Sequence, residues 1–321
     1  MLSISFEKLE IETRLCAPDL PEGHGLYPVL ASALRMRALP KTGRMPAHPE
    51  ESADRPLWPA SYFGLEQVTI YRDSEEAEQR AILLGCSRNI LAEIYYIEKF
   101  GMYFASKMCL LSESAQERML YSLFAADEAV HFHWISSYAT AESATSCESS
   151  PFIQLIDEVL RKEDRMTLSY IVQVILEGWG IGHYHSLAKA CLDAEMAAVF
   201  ENIIRDEGRH HASGLALFNG RRHSAARLKR LTDLLAQLLF MVQAGPQMVV
   251  SQIERVKGHL SQAQRMRVFA ELECEAGALS KIRTLKSLIK TSAGAGAILC
   301  ELERKGSFRA YTASECAAAS G

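Results

Sequence analysis

Apolar residues recur at three- and four-residue intervals over most of this chain, the spacing that gathers side chains onto one helix face. Strict alternation, the mark of a half-buried strand, is nearly absent, so an all-α fold is expected. The helical pattern begins only at about residue 74. Before it, prolines at 18, 21, 28, 40, 46, 49, 56 and 59 interrupt any long helix, and residues 1–73 read as an irregular N-terminal arm. Within the arm, GLYPVLASALRMRAL has room for one short helix, and LWPASYFGLEQVTIY has the apolar content of a strap laid over a larger body.

Four long helices follow. SEEAEQRAILLGCSRNILAEIYYIEKFGMYFASKMCLL opens with Ser74 at an N-cap position and acids in its first turn. SESAQERMLYSLFAADEAVHFHWISSYA comes next, with Ser114 and Glu117 spaced as a capping box. A polar linker, TAESATSCESS, leads to Pro151, which opens PFIQLIDEVLRKED; RMTLSYIVQVILEGWGIGHYHSLAKACL continues it as the third helix. Asp193 is placed to cap the fourth, AEMAAVFENIIRDEGRHHASGLALF, and Asn219-Gly220 to end it. Residues 74–220 thus read as a four-helix unit, and 221–290 as accessory helices (223–243, 246–259 and 261–290) packed on it. The Ala-, Gly- and Ser-rich 291–321 reads as a loosely ordered tail.

Two acidic insertions interrupt the apolar helices, and they match. DEAVH (127–131) and DEGRH (206–210) each place a histidine three residues after a glutamate, about 300° around the helix and so on one face. Shifting the chain by 79 residues overlays them, and it also lays IEKFGM (97–102) on LEGWGI (176–181) and Ser114 on Asp193. Each half is therefore expected to be a helical hairpin with one Glu on its first arm and Glu-x-x-His on its second. The Glu-to-Glu separation is 30 residues in both, Glu98 to Glu128 and Glu177 to Glu207. With the turn near the midpoint, the two glutamates of a hairpin return to the same height. Two such hairpins bring four carboxylates and two imidazoles together, the ligand count of a di-iron or di-manganese bundle. Burying that much charge is costly unless cations neutralise it.

On Glu98, Glu128-x-x-His131, Glu177 and Glu207-x-x-His210, residues 75–220 resemble the ferritin-like di-iron carboxylate superfamily. The resemblance implies a ferritin-like four-helix bundle holding two iron ions, Fe/Fe or Mn/Fe, and O2-dependent chemistry. Glu128 and Glu207 would bridge the metals, Glu98 and Glu177 would be terminal ligands, and His131 and His210 would hold one metal each. Glu93 competes with Glu98 for the first position, but five residues is about 140° of helix, so both cannot face one site. Asp127 and Asp206 are placed to accept the outer ring N–H of a ligand histidine. His133, His183, His185 and His211 lie off the ligand face. Tyr121, Phe124, Tyr184, Phe200, Ile203 and Ile204 sit one or two turns from the glutamates; they read as core that would also wall an apolar substrate pocket. Gly178, Gly180 and Gly182 in EGWGIGH cost a helix about 1 kcal/mol each relative to Ala, which points either to a π-bulge and room beside Glu177 or to close helix packing.

Composition narrows the rest. Net charge is −4 and pI about 6.2, which writes in no pull toward nucleic acid or an anionic membrane. No apolar run approaches the roughly 20 residues of a membrane span, and the acidic start MLSISFEKLEIETRL lacks the layout of a secretory leader, so a cytoplasmic setting is expected. Eight scattered cysteines without a C-x-x-C argue against a disulfide framework, a zinc ribbon or an iron–sulfur cluster. The function expected is an O2-activating non-haem di-iron oxygenase acting on a small organic substrate by hydroxylation, N-oxygenation or oxidative C–C cleavage. It would draw electrons from an external donor, since no flavin or nicotinamide motif is visible, and a homodimer is one form open to it. The alternatives are an iron-handling ferroxidase and a helical scaffold with a vestigial site.

Overall fold

The computed structural model describes residues 55–139 and 150–319. The short helix expected near residues 25–39 and the linker 140–149 lie outside the described residues. No strand occurs among the described residues, and the all-α expectation holds.

Two 3-10 turns, Ala60–Phe63 and Leu65–Gln67, precede α1 (Thr69–Arg72). The long helices are α2 (Glu76–Leu111), α3 (Ala115–Ser136), α4 (Pro151–Lys162) and α7 (Ala194–Asn219). Between α4 and α7 run α5 (Arg165–Leu168), a π-helix (Ser169–Glu177) and α6 (Gly178–Ala190). After them come α8 (Ala225–Gln243), α9 (Gln247–Lys257), α10 (Gln262–Glu271), α11 (Cys274–Lys290), α12 (Ala295–Arg304) and α13 (Ala313–Ala318). No single described helix is long and apolar enough to cross a membrane; α8 and α9, bent by 45°, pass by length and composition only as a pair.

Local chemistry sets most of these ends. Ser114 accepts from the Glu117 N–H at 3.1 Å, whereas the Glu117 carboxylate takes the N–H of Glu113 rather than completing a box. Asp193 accepts from the Met196 N–H at 2.9 Å, so the repeat-related caps both form. Ser74 is not the cap of α2: its hydroxyl donates back to the Ile70 carbonyl at 2.6 Å, and the helix opens two residues later. The expected third helix is broken at Glu163–Asp164. There the Asp164 carboxylate accepts from the Thr167 N–H at 2.8 Å and starts a new helix, a local competition that the apolar period does not register.

Contacts fall into two groups. Among the described residues, the first gathers Asn89–Leu168 and Asp193–Asp206; the second gathers Pro56–Arg88, Ser169–Leu192 and the chain from Glu207 onward. Helices α2 and α7 contribute one part to each.

In the first group, Phe104 and Tyr121 meet edge to face at 6.2 Å, and Tyr121 meets Phe124 at 5.9 Å, joining α2 to α3. Lys107 is buried, yet its ammonium donates to the Leu160 carbonyl at 2.6 Å, where the end of α4 leaves carbonyls to be satisfied. In the second group the segment before α2 is packed down as a strap. Trp58 is fully buried and donates Nε1–H to the Leu187 carbonyl at 3.1 Å, and Thr69 binds the Glu271 carboxylate through both its N–H and its hydroxyl.

The expected loose tail is instead helical and packed. Ile298, Leu302 and Cys316 are buried, Gln243 donates to the Gly306 and Arg309 carbonyls, and Thr312 and Glu315 form a capping box at α13. Small-residue composition misled here because Ile298 and Leu302, spaced i and i+4, suffice to seat a short helix.

Candidate metal centre

The first arm of the site is the middle of α2. Glu98 is 1% exposed, whereas Glu93 is half-buried and belongs to neither donor group described below. Across the hairpin, α3 carries Glu128 and His131, both buried. The two helices approach closely because residue 101 is glycine: a Cβ there would lie 2.1 Å from Glu128 Oε2. A side chain at 101 would fill the space the carboxylate occupies.

His131 is oriented from both sides. Its Nε2 lies 3.1 Å from the Asp206 carboxylate, which can only accept, so that nitrogen carries a proton. Its Nδ1 faces Glu98 Oε2 at 3.4 Å and Glu128 Oε2 at 3.8 Å. Burial disfavours the charged ring, but the carboxylates of Asp206, Glu128 and Glu98 outweigh it and hold the imidazolium well above its ordinary range. The pocket calls for positive charge. Asp206 thus stands where a carboxylate fixing the outer nitrogen of a ligand histidine was expected, but it serves the histidine of the other motif. Asp127 is half-buried beside Glu128.

The second arm begins with the π-helix, which ends on Glu177. Glu177 is half-buried; Glu207 and His210, one turn apart on α7, are buried, with His210 Nδ1 3.8 Å from Glu207 Oε2. Of the three glycines after Glu177, only Gly178 is a close approach: a Cβ there would sit 2.8 Å from the His211 ring and 2.9 Å from Leu288. Gly180 and Gly182 have nothing within 4 Å. The π geometry and the tight packing both occur, the first upstream of the glycines and the second at one of them.

All six sequence-read ligands fall into two sets of donors. Glu98, Glu128, His131 and Glu207 offer atoms within 4.8 Å of one another, and so do Glu128, Glu177, Glu207 and His210. The sets share Glu128 and Glu207. This buried cluster could hold a metal ion. A metal fits the residues on two counts. The donors are oxygen and imidazole nitrogen without thiolate, suited to iron or manganese. Fully ionised, the four carboxylates would also carry four negative charges, which two divalent cations would neutralise.

Of the expected pocket residues, Tyr121, Phe124, Tyr184, Phe200 and Ile203 are buried core and Ile204 is half-buried. His133, His183, His185 and His211 belong to neither donor set. Three roles that matter to the geometry escaped sequence reading. Gly101 aligns with Gly180 in the repeat, which was its only signal; Gln173 and His211, described below, had none beyond the neighbouring glycines. Comparison with protein-family models and with curated proteins finds no match to the chain.

Proposed function

We propose that this chain is a non-haem di-iron oxygenase with a ferritin-like bundle at its heart, oxidising a small organic substrate with O2. The observation that carries the proposal is the pair of four-donor sets sharing Glu128 and Glu207, with one imidazole in each. Shared carboxylates are what two adjacent cations require. Two iron ions held there would supply redox chemistry with O2: in a monooxygenation, one oxygen atom enters the substrate and the other leaves as water, with two electrons from an external donor and two protons.

The chain's own residues do the rest. Glu128 and Glu207 are the bridging candidates, with Glu98 and Glu177 terminal and His131 and His210 one per metal. Asp206 holds the outer nitrogen of His131, so that Nδ1 is aimed at the carboxylates rather than free to rotate. Tyr121, Phe124, Phe200 and Ile203 are buried one or two turns before Glu128 and Glu207, an apolar setting that would keep water from a reactive centre and would suit an organic molecule better than hydrated iron.

Stopped-flow absorbance after mixing the reduced iron protein with O2 tests the proposal, with iron loading followed on the same samples. The oxygenase reading expects a reaction at a retained site that a substrate accelerates or redirects. Turnover of excess Fe(II) into a ferric core with many irons per chain would replace it with iron storage.

A further inference from the structure

The π-helix before Glu177 and the glycine after it share an explanation, which rests on the metal-centre reading above. Inserting a π turn breaks the regular i→i+4 ladder, and a carbonyl that loses its helical donor must find another. Gln173 lies in the middle of the π segment, and its backbone oxygen meets His211 Nδ1 at 2.9 Å. A carbonyl only accepts, so the His211 ring carries its proton on Nδ1. The fully buried Gln173 side chain binds the same turn of α7. Its Nε2 donates to the His210 carbonyl at 3.2 Å and to Ser213 Oγ at 3.1 Å, and its Oε1 accepts from the Ser169 hydroxyl at 3.1 Å. Two glycines permit the approach. A Cβ at Gly214 would lie 2.3 Å from Gln173 Cβ, and one at Gly178 would lie 2.8 Å from His211 Nδ1 and Cε1.

We propose that Gln173 and His211 are positioning residues that bolt the π-helix to the ligand-bearing turn of α7. They fix Glu177 in register with Glu207 and His210. Neither belongs to a donor set. Their action runs through backbone: Gln173 holds the carbonyl of His210, and His211 holds the carbonyl four residues before Glu177. Loosening the bolt frees Glu177 and His210, which belong to one donor set alone, and leaves Glu98 and His131 in place.

Cobalt(II) titration of the full-length chain, followed by its d–d absorption, tests this. Wild type is expected to take two Co(II) per chain. His211→Phe keeps a ring beside Gly178 but removes the donor; Gln173→Leu removes the side-chain bonds. Each should bind one ion with wild-type affinity and the other ten- to a hundredfold more weakly, the range for residues that orient ligands. The spectrum of the retained ion should match that of Glu177→Ala. His211→Asn, whose amide nitrogen falls near the position of Nδ1, should restore the second ion to within about threefold, which a merely structural role would not require. If Gln173→Leu fails to fold, the His211 pair carries the test. Wild-type binding of both ions in His211→Phe, equal weakening of both, or no rescue by Asn would overturn the inference alone. No Co(II) bound by wild type would overturn the metal-centre reading with it.

Discussion

Replacing Gly101 with alanine probes how firmly the shared carboxylate of Glu128 is held. The new Cβ would lie 2.1 Å from Oε2 and 2.6 Å from Cδ of Glu128, where ordinary contact begins at 3.4 Å. The carboxylate must therefore retreat by about 1.3 Å, the difference between 3.4 and 2.1 Å. Metal–oxygen bonds of about 2.0–2.2 Å tolerate roughly 0.2 Å, so such a shift removes Glu128 as a ligand. Because Glu128 belongs to both donor sets, both ions should bind more weakly, by about a hundredfold or more, equivalent to about 2.7 kcal/mol. The fold should survive. Alanine gains up to about 1 kcal/mol over glycine inside a helix, which offsets moving one side chain. Gly180→Ala is the matched control, since it is the repeat partner of Gly101 with nothing within 4 Å. Equilibrium dialysis against Fe(II) under anaerobic conditions, with calorimetric melting of the metal-free proteins, separates the two effects. Wild-type affinity for both ions in Gly101→Ala would refute the placement of Glu128.

Three further outcomes follow from the same geometry. Asp206→Asn removes the carboxylate that orients His131, so metal affinity should fall about ten- to a hundredfold while the circular dichroism spectrum is kept; unchanged affinity would deny Asp206 that role. Burial, aided by Lys281, pushes the half-buried His183 ring down to about 4, so the folded state holds it neutral and the stability it contributes is complete above about pH 6.5. That contribution is lost as pH falls from about 6.5 toward 4, by at most about 3 kcal/mol less what water screens, and urea melts of His183→Gln should show a shallower decline over that window. Trp58→Ala removes a fully buried indole and its bond to Leu187, and should cost about 3–5 kcal/mol in urea unfolding while leaving metal stoichiometry unchanged; a loss below about 1 kcal/mol would mean that the strap is not seated.

The clustering of the six candidate donors was legible because it depends on covalent spacing. A 30-residue Glu-to-Glu interval and a three-residue Glu-to-His interval survive any detail of packing, and the repeat chose Glu98 over Glu93. The caps Ser114 and Asp193 were legible for the same reason: their partners are three residues away. What lay beyond reach depends on partners distant in sequence. The extent of the π register, Ser169–Glu177, is one example: its apolar positions would read as α-helix in isolation, and its outside partners are the His211 ring, which donates to the Gln173 carbonyl, and the His210 carbonyl, which accepts from the Gln173 side-chain amide. Gly101 and Gly180 are equivalent in the repeat, yet only Gly101 faces a carboxylate. The packed tail was hidden because its anchors, Gln243 and Asn219, lie in earlier helices.

The proposed centre holds two metals that share Glu128 and Glu207. Iron content per chain, measured by elemental analysis after anaerobic reconstitution with Fe(II) and desalting, tests it most directly, with Glu207→Ala alongside. Two irons per chain are expected in the wild type and a loss of both in Glu207→Ala, because that carboxylate belongs to each donor set. One iron or none in the wild type, or a Glu207→Ala protein that keeps both, would contradict it.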